Sequence, residues 1–586
     1  MRLVFDIETN GLLDTLDKIH CIVIKDIDND MLYFSSSKHK SFNNILSVLE
    51  NADEIIGHNI IGFDLPAIQK VYPNFSPKGK VTDTLVISRL IEADLVNTDF
   101  DTSVSLPKKL YGSHSLKAWG LRLGNHKGDY DGGWEEFSEE MLEYCKQDVE
   151  VTHALWKRLA PEKYSQQAIK FEHQVAELCD RIGNAGWTFD ITKASHLYAK
   201  LAQERATLEG ELQTLFEPWE IVTEFIPKVN NKKLGYKKGE PFNKVKVVEF
   251  NPNSRKHIQF CLEKKYRWKP KKMTPSGDAQ IDETILAALP YPEAKKLARM
   301  FMLNKRIGML AEGNAAWLKL VKDNGQLHHS IISNGAVTGR ATHRYPNLAQ
   351  VPAVRAEFGK ECRELFTVPT GYELVGSDLS GIELRSLAYY LSAYDKGAYA
   401  KEILNGDIHT KNQNDAGLET RDQAKTFIFA LIYGGGDLMI GKIAGSNAKK
   451  GKELKDNFYK ANPSFKQLKD NLEQASNKGY ILGLDKRKLK IRSRHKSFNT
   501  LLQSCAALIC KQWILNIDHE IRRQNLDAKI IAWVHDEVQI AVKKGDADHV
   551  GDITSRMAKK TGEDFNITEI PIEAEFKIGT NWANTH

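Results

Sequence analysis

The chain has 586 residues, 41% of them hydrophobic and 27% charged, with a net charge of +6. That length exceeds what one hydrophobic core supports, so several domains are expected. The composition excludes a disordered or collagen-like chain, and no apolar run approaches the roughly 18 residues of a membrane span. Seven scattered cysteines with no CxxC pair argue against a zinc site and fit a reducing cytoplasm. Acids in the opening Met1-Arg2-Leu3-Val4-Phe5-Asp6 argue against a secretory leader. Charge is uneven: residues 1–165 carry 18 Lys+Arg against 26 Asp+Glu, and the remainder 64 against 50. An acidic first domain therefore precedes a basic body, which suits a polyanionic partner through counterion release.

Leu3–Thr9 reads as an opening strand, whose period of two puts Asp6 and Glu8 on one face. Two adjacent carboxylates repel unless a cation neutralises them. Glu54–Gly57 is a short strand leading to His58-Asn59-Ile60-Ile61-Gly62-Phe63-Asp64, which supplies a third acid. A helical pattern from Glu139 to Leu159 sets Tyr144 beside Asp148 at a spacing of four. Residues from about 166 to 215 are helix-rich, and Leu201–Leu215 has an amphipathic spacing. Between Pro227 and Lys246 come Lys228, Lys232, Lys233, Lys237, Lys238, Lys244 and Lys246. Lysines this dense cannot build a core, so 216–249 is expected to be an exposed loop suited to a nucleic-acid backbone. Helix resumes near Asn253 or Ser254 as caps.

Thr338–Pro352 is rich in Gly, Pro and basic residues, hence a loop. Ser377-Asp378-Leu379 and Val534-His535-Asp536-Glu537 each deliver a carboxylate from a strand-like run to a polar break, the latter at the tip of a hairpin. Between them lies a helix opened by a Thr420/Gln423 capping box and stopped at Gly434. Arg421, Lys425, Phe429 and Tyr433 recur every four residues and share a face. Two cations near a helix start suit a triphosphate, and the aromatics suit a base. Carboxylates, divalent metal and a phosphate-binding helix are the parts that phosphoryl transfer needs.

Asp6, Glu8, Asp64, Tyr144 and Asp148 match the three motifs of the DEDD-type exonucleases with tyrosine in the third. Asp378–Arg385, Arg421–Gly434 and His535–Glu537 resemble motifs A, B and C of family A, the DNA polymerase I family, most nearly the replicative enzymes of short-tailed, T-seven-type bacteriophages. The resemblance implies a multidomain α/β and α+β chain: a ribonuclease-H-like 3′–5′ exonuclease followed by a right-hand polymerase. The expected bounds are 1–165 for the exonuclease and 166–325 for connecting helices and thumb. The palm would take 326–395, the fingers 396–495 and the second part of the palm 496–586.

By the same resemblance, Asp378, Asp536 and the Leu379 carbonyl would hold two magnesium ions, with manganese as a substitute and Glu537 in support. Asp6, Glu8, Asp64 and Asp148 would hold two more, Tyr144 orienting the water. Arg421, Lys425 and His409 would grip the triphosphate of a dNTP, Lys425 also serving as proton donor, and Glu383 would exclude a 2′-hydroxyl. Tyr433 would stack at the template position. Arg340 and Gln503 would touch the minor groove of primer-template DNA, and His535 the primer end. Phe429, where the T-seven-type enzyme has tyrosine, implies discrimination against dideoxynucleotides. The short 216–249 segment, with Lys232, Lys233, Lys237 and Lys238 against DNA, stands where those relatives carry a long thioredoxin-binding insertion, so thioredoxin dependence is not expected. A phage helicase-primase is a candidate partner, and the cytoplasm of an infected host the expected location. That no bacterial five-prime nuclease domain precedes residue 1 is expected to favour phage replication over gap repair. The alternatives are a repair factor with a live exonuclease and a dead polymerase, or a single-subunit RNA polymerase, against which Glu383 and the exonuclease domain argue.

Overall fold

A computed structural model describes residues 1–38, 42–102, 106–125, 128–274 and 277–586. The chain folds into two compact units: 1–188 with 328–351 and 367–586, and 189–327 with 352–366.

The first unit opens with a five-stranded sheet of β1 (Arg2–Thr9), β2 (Ile19–Asp26), β3 (Met31–Ser36), β4 (Glu54–Gly57) and β5 (Lys80–Asp83), in the order β3-β2-β1-β4-β5. β1 pairs antiparallel with β2 and parallel with β4, and both its faces are covered. One face packs Leu3, Phe5 and Ile7 among Ile45, Leu49 and Ile68. The other packs Val4 with Met141, Cys145 and Val149. A strand buried on both sides has little freedom to shift register, which fixes its two acids. Helix α1 (Asp64–Val71) follows β4, and α2 (Thr84–Ile91) follows β5. Helix α3 (Glu139–Leu159) starts at a Ser138 N-cap, has Glu139 and Glu140 in its first turn and Lys157 and Arg158 in its last, and packs on β1. Next, α4 (Gln166–Ala185) sends Phe171, Val175, Leu178 and Ile182 into the same core as the carboxyl-terminal sheet. The chain thus leaves the first unit after 188.

The second unit contains α5 (Ile191–Leu215), β6 (Trp219–Phe225), β7 (Phe242–Val248), α6 (Arg255–Tyr266) and α7 (Pro292–Ile307). Here the structure corrects the sequence reading. Segment 216–249 is not a loop throughout: β6 and β7 pair antiparallel over seven residues, from Trp219↔Val248 to Phe225↔Phe242. The lysines are exposed as expected. Both faces of this two-stranded ribbon meet water, so it leaves no half-buried alternation in the sequence. Its base is tied down by Trp219, which joins Phe216, Phe250, Ile258 and Leu262 in the unit's core.

The rest of the first unit is built on a four-stranded antiparallel sheet of β8 (Tyr372–Leu379), β9 (Ala528–Val534), β10 (Glu537–Lys543) and β11 (Ala574–Gly579), in the order β9-β10-β8-β11. Helices α8 (Ile382–Asp395), α9 (Ile408–Ala416), α10 (Arg421–Ile432), α11 (Ser497–Arg523) and α12 (Ala547–Asp564) accompany it. The expected Thr420/Gln423 capping box is formed on α10, and Gly434 just beyond it takes a positive φ of 77°. Two helices and the 485–487 turn are locked by a buried ion cluster: Glu172 of α4 accepts from Lys511 of α11 and from Arg487 (2.7 Å), which also pairs with Asp485 (2.7 Å). No helix is long and apolar enough to cross a membrane, among the described residues.

Two candidate active sites

At the first site, β1 presents Asp6 and Glu8, and Cys145 of α3 comes up against them, ligand atoms of all three lying within 4.8 Å of one another. The Cys145 thiol donates to the Asp6 carbonyl (3.4 Å) and to Asp6 Oδ2 (3.5 Å). Burial holds that thiol protonated well above its ordinary range. Cys145 is therefore a donor to the acid and a poor cation ligand. Asp64 heads α1 and is 4% exposed; burial, then Asp6 and Asp83, push its carboxyl well up. Asp148, 3% exposed, lies on α3 one turn beyond Tyr144. The Tyr144 ring sits against Tyr130 (5.8 Å) and Trp134 (6.4 Å). Asp64, buried and facing other acids, resists ionisation, and an all-oxygen acid set suits a hard divalent cation.

Sequence reasoning missed Asp83, the last residue of β5. Its carboxylate accepts from the backbone N–H groups of Asn59 (2.9 Å), Ile61 (3.1 Å) and Leu85 (2.8 Å). Its own N–H donates to His173 Nε2 of α4 (2.8 Å). One acid thereby shapes the turn that carries Asp64 and caps α2. The signal was present in the sequence: Asp-Thr directly after a strand, opening an apolar helix.

At the second site, the Leu379 N–H donates to the Asp536 carbonyl (3.0 Å), which brings the end of β8 against the tip of the β9–β10 hairpin. Asp378 and Asp536, 158 positions apart in the chain, thus meet as the sequence reading required. Across the sheet Asp378 lies opposite Glu537 on β10 and Glu575 on β11. Directly paired residues share a face, so three acids stand in a row. Glu575 was not foreseen. These acids line a cavity of about 470 Å³ with Lys577 and His586. Although the Asp378 side chain keeps access to solvent, burial by its surroundings, then Asp536 and Glu537, push its pKa up to about 7. Asp536 is raised too, chiefly by burial. Glu537 is buried and held by Trp582 Nε1, Gln539 Nε2 (2.6 Å) and His586 Nδ1 (2.8 Å). The donor set again fits divalent cations. His535, at the hairpin tip, is exposed with a positive φ of 60°.

Asp536 also lines a second cavity, of about 300 Å³, with Arg340, Glu383, Cys510 and His535. Glu383, in the first turn of α8, accepts from Tyr433 Oη (2.7 and 2.8 Å) and from Arg340 Nη2 (2.8 Å). Burial and that carboxylate push the Tyr433 phenol up to about 12. Arg340 thus spends its guanidinium on Glu383, and Gln503 lies apart, in a cavity with Thr338 and Arg492. Of the stripe on α10, only Tyr433 reaches the acids' surroundings. Lys425 lies eight residues back, about 12 Å along the helix. Lys425 is exposed, Phe429 is half-buried against the core, and Arg421 pairs with Asp407 (2.7 Å). His409, on the adjacent α9, is held below its usual range by burial and then by Arg421 and Lys425.

Residues 228–584 match the model of DNA polymerase family A, and residues 3–160 that of the RNase_H superfamily. The chain is 36% identical, over 100% of its own length and of theirs, to the DNA-directed DNA polymerases of Escherichia phage T7 and Enterobacteria phage T3. The chain belongs to DNA polymerase family A. DNA polymerase I of Aquifex aeolicus is 25% identical over 99% of this chain and 95% of its own. The POL domain of Pol1 from M. smegmatis, solved in complex with DNA primer-template and dNTP, shares the fold: TM-score 0.75, 17% identity, covering 100% of this chain and 96% of that one. This family A member is a DNA-directed DNA polymerase with a ribonuclease-H-like exonuclease domain, and both sites belong to divalent-metal-dependent families. The repair-factor alternative is not favoured.

Proposed function

We propose that this chain is a replicative phage polymerase that extends a primer 3′-hydroxyl with dNTPs at Asp378 and Asp536 and proofreads at a DEDDy exonuclease site. The observation that carries the reading is the 3.0 Å bond from Leu379 to Asp536, which joins two distant acids at one end of one sheet. Magnesium, two ions per site, would activate the attacking oxygen and neutralise the leaving one. Asp378, Asp536 and the Leu379 carbonyl would hold these ions; Glu537, fixed by its own hydrogen bonds, would support Asp536. Lys425 would meet the triphosphate and supply a proton to the pyrophosphate, with Arg421 and His409 beside it. Glu383, packed under the sugar, would reject ribonucleotides, and Tyr433 would yield its place to the templating base. Arg340 and Gln503 would follow the minor groove, and His535 the primer end.

At the exonuclease site Asp6, Glu8, Asp64 and Asp148 would hold the metals and Tyr144 would orient water. Short-tailed phage parentage, the host cytoplasm as location and a helicase-primase partner form part of this reading. The alignment to the T7 enzyme runs over 707 positions against 586 residues here, which supports a chain without a long thioredoxin-binding segment. In its place the exposed Lys232, Lys233, Lys237 and Lys238 of the β6–β7 ribbon would hold duplex DNA by counterion release. The test is primer extension on a long single-stranded template, with and without thioredoxin. Wild type is expected to extend equally in both, and Asp536→Asn to extend in neither. Extension by Asp536→Asn at the wild-type rate would overturn the reading.

A further inference from the structure

The hairpin that carries Asp536 turns tightly on an unfavourable residue. Val534 pairs directly with Glu537, so β9 and β10 are joined by His535 and Asp536 alone. The favoured loops of that length need a left-handed first residue and draw glycine or asparagine there, because a side chain crowds the following carbonyl. Here the position holds His535, at a φ of 60° and exposed to solvent. An exposed side chain gains little packing to offset the crowding, so some other contact has to hold the turn.

Trp533, near the end of β9, supplies that contact. Its indole N–H donates to the His535 carbonyl (2.9 Å). Its ring is 2% exposed, belongs to the core, and lines the 300 Å³ cavity together with Arg340, Glu383 and Asp536. The donor is therefore fixed by packing before it meets the turn. The β9–β10 ladder slips by one residue between Ile530 and Ala532, an irregularity that adds twist just ahead of Trp533. On the other side of the tip, the Leu379 N–H donates to the Asp536 carbonyl (3.0 Å). The His535 carbonyl belongs to the peptide plane before the Asp536 Cα, and the Asp536 carbonyl to the plane after it. Holding both planes fixes φ and ψ of Asp536, and with them the direction in which its carboxylate leaves the backbone.

We propose that Trp533 is a positioning residue for the polymerase reaction: its indole N–H holds the left-handed His535 peptide and thereby aims the Asp536 carboxylate. The inference rests on the functional reading above, in which Asp536 holds metal. Without the indole bond, residue 535 would relax toward a negative φ, turn the 535–536 peptide and swing the carboxylate away from Asp378. Trp533 itself touches neither substrate nor metal and acts only through this peptide.

The test is a double-substitution cycle in the full chain, because a residue that only fills the core acts alike whatever stands at 535. Trp533→Phe keeps an aromatic ring and removes the donor. His535→Gly removes the crowding, so the turn keeps its left-handed form unaided. In single-nucleotide incorporation Trp533→Phe is expected to lower kcat about tenfold, the scale of one hydrogen bond, with the KM for dNTP changed less than about twofold. Made on top of His535→Gly, the same substitution should lower kcat by less than about twofold. Lost packing should lower the melting temperature equally in both backgrounds and so cancels in the cycle. A second readout needs no turnover: calorimetric titration with manganese, in chains carrying Asp6→Ala and Glu8→Ala to remove exonuclease ligands. Trp533→Phe should weaken that binding about fivefold with His535 present and leave it unchanged with His535→Gly. Equal losses of kcat in the two backgrounds, or no loss in either, would overturn the assignment. The functional reading fails by a different result, wild-type extension by Asp536→Asn.

Discussion

The two active sites use one device in different settings. In each, a central strand ends in acids and a second element brings another acid across: α1 and α3 at the exonuclease site, the β9–β10 hairpin at the polymerase site. At the exonuclease site Asp64 and Asp148 are nearly sealed, and their neighbours Cys145 and Tyr144 are uncharged. At the polymerase site Asp378 opens to solvent, Arg340 stands in the adjoining cavity, and Arg421 and Lys425 wait further up α10. On the proposed roles, the difference follows the charge each reaction would handle. Hydrolysis of one phosphodiester is served by a closed acid pocket, whereas a triphosphate has to be met by cations from the protein.

The comparison can be broken first by separating the activities. Asp64→Asn should lower excision by about three orders of magnitude and leave extension intact, and Asp378→Asn should do the reverse, on the scale expected for losing a metal-holding acid. Loss of both by either variant in a gel assay would show the sites to be one system. Helix α4 is the wall they share, since His173 supports Asp83 while Glu172 anchors Arg487 and Lys511. Glu172→Gln leaves two buried cations underpaired and should cost about 3–5 kcal/mol in urea unfolding. Both activities should then decline together on warming. Phe429→Tyr, changed on α10 alone, should on the proposed reading raise dideoxynucleotide use about 10- to 100-fold, the scale of one hydrogen bond near charge; unchanged single-nucleotide incorporation would count against the proposed role of α10.

The smallest effect is one of pH. With its pKa near 7, Asp378 holds a proton that a cation must displace, so divalent-metal affinity should fall about tenfold per pH unit below 7. Calorimetry should find about one proton released at pH 6 and none at pH 9. The sign for stability follows from the same shift. A carboxyl raised on folding stabilises fully below about pH 4, its unfolded value, and loses that contribution as pH rises to 7. Asp378→Asn should therefore gain melting temperature over wild type above pH 7, on the order of 1–2 °C, and not at pH 4.

Local features that announce themselves were legible in the sequence. The strand period placed Asp6 beside Glu8, the capping box and Gly434 bounded α10, and the flanks of Asp536 predicted a hairpin, all now seen. What was hidden depends on contacts distant in the chain. Asp83 looks like any strand-end acid until Asn59 and Ile61 fold onto it, and Glu575 gains meaning only from its register with Asp378. Glu172, Arg487 and Lys511 are charged residues that composition assigns to the surface, yet each is 0–1% exposed because the others are there. The β6–β7 ribbon reads as a loop because its lysines outweigh the alternation of Lys244-Val245-Lys246-Val247, which no core enforces.

The sheet connectivity also orders events in time. β1 to β5 and α3 are complete within the first 160 residues, whereas β8 must wait for β10 and β11 from the last 50. During vectorial synthesis the strands of the nuclease sheet can therefore pair while none of the four strands of the carboxyl-terminal sheet has been made, leaving slow, non-local pairing to the end. A truncated translation product would be a nuclease with nothing to proofread.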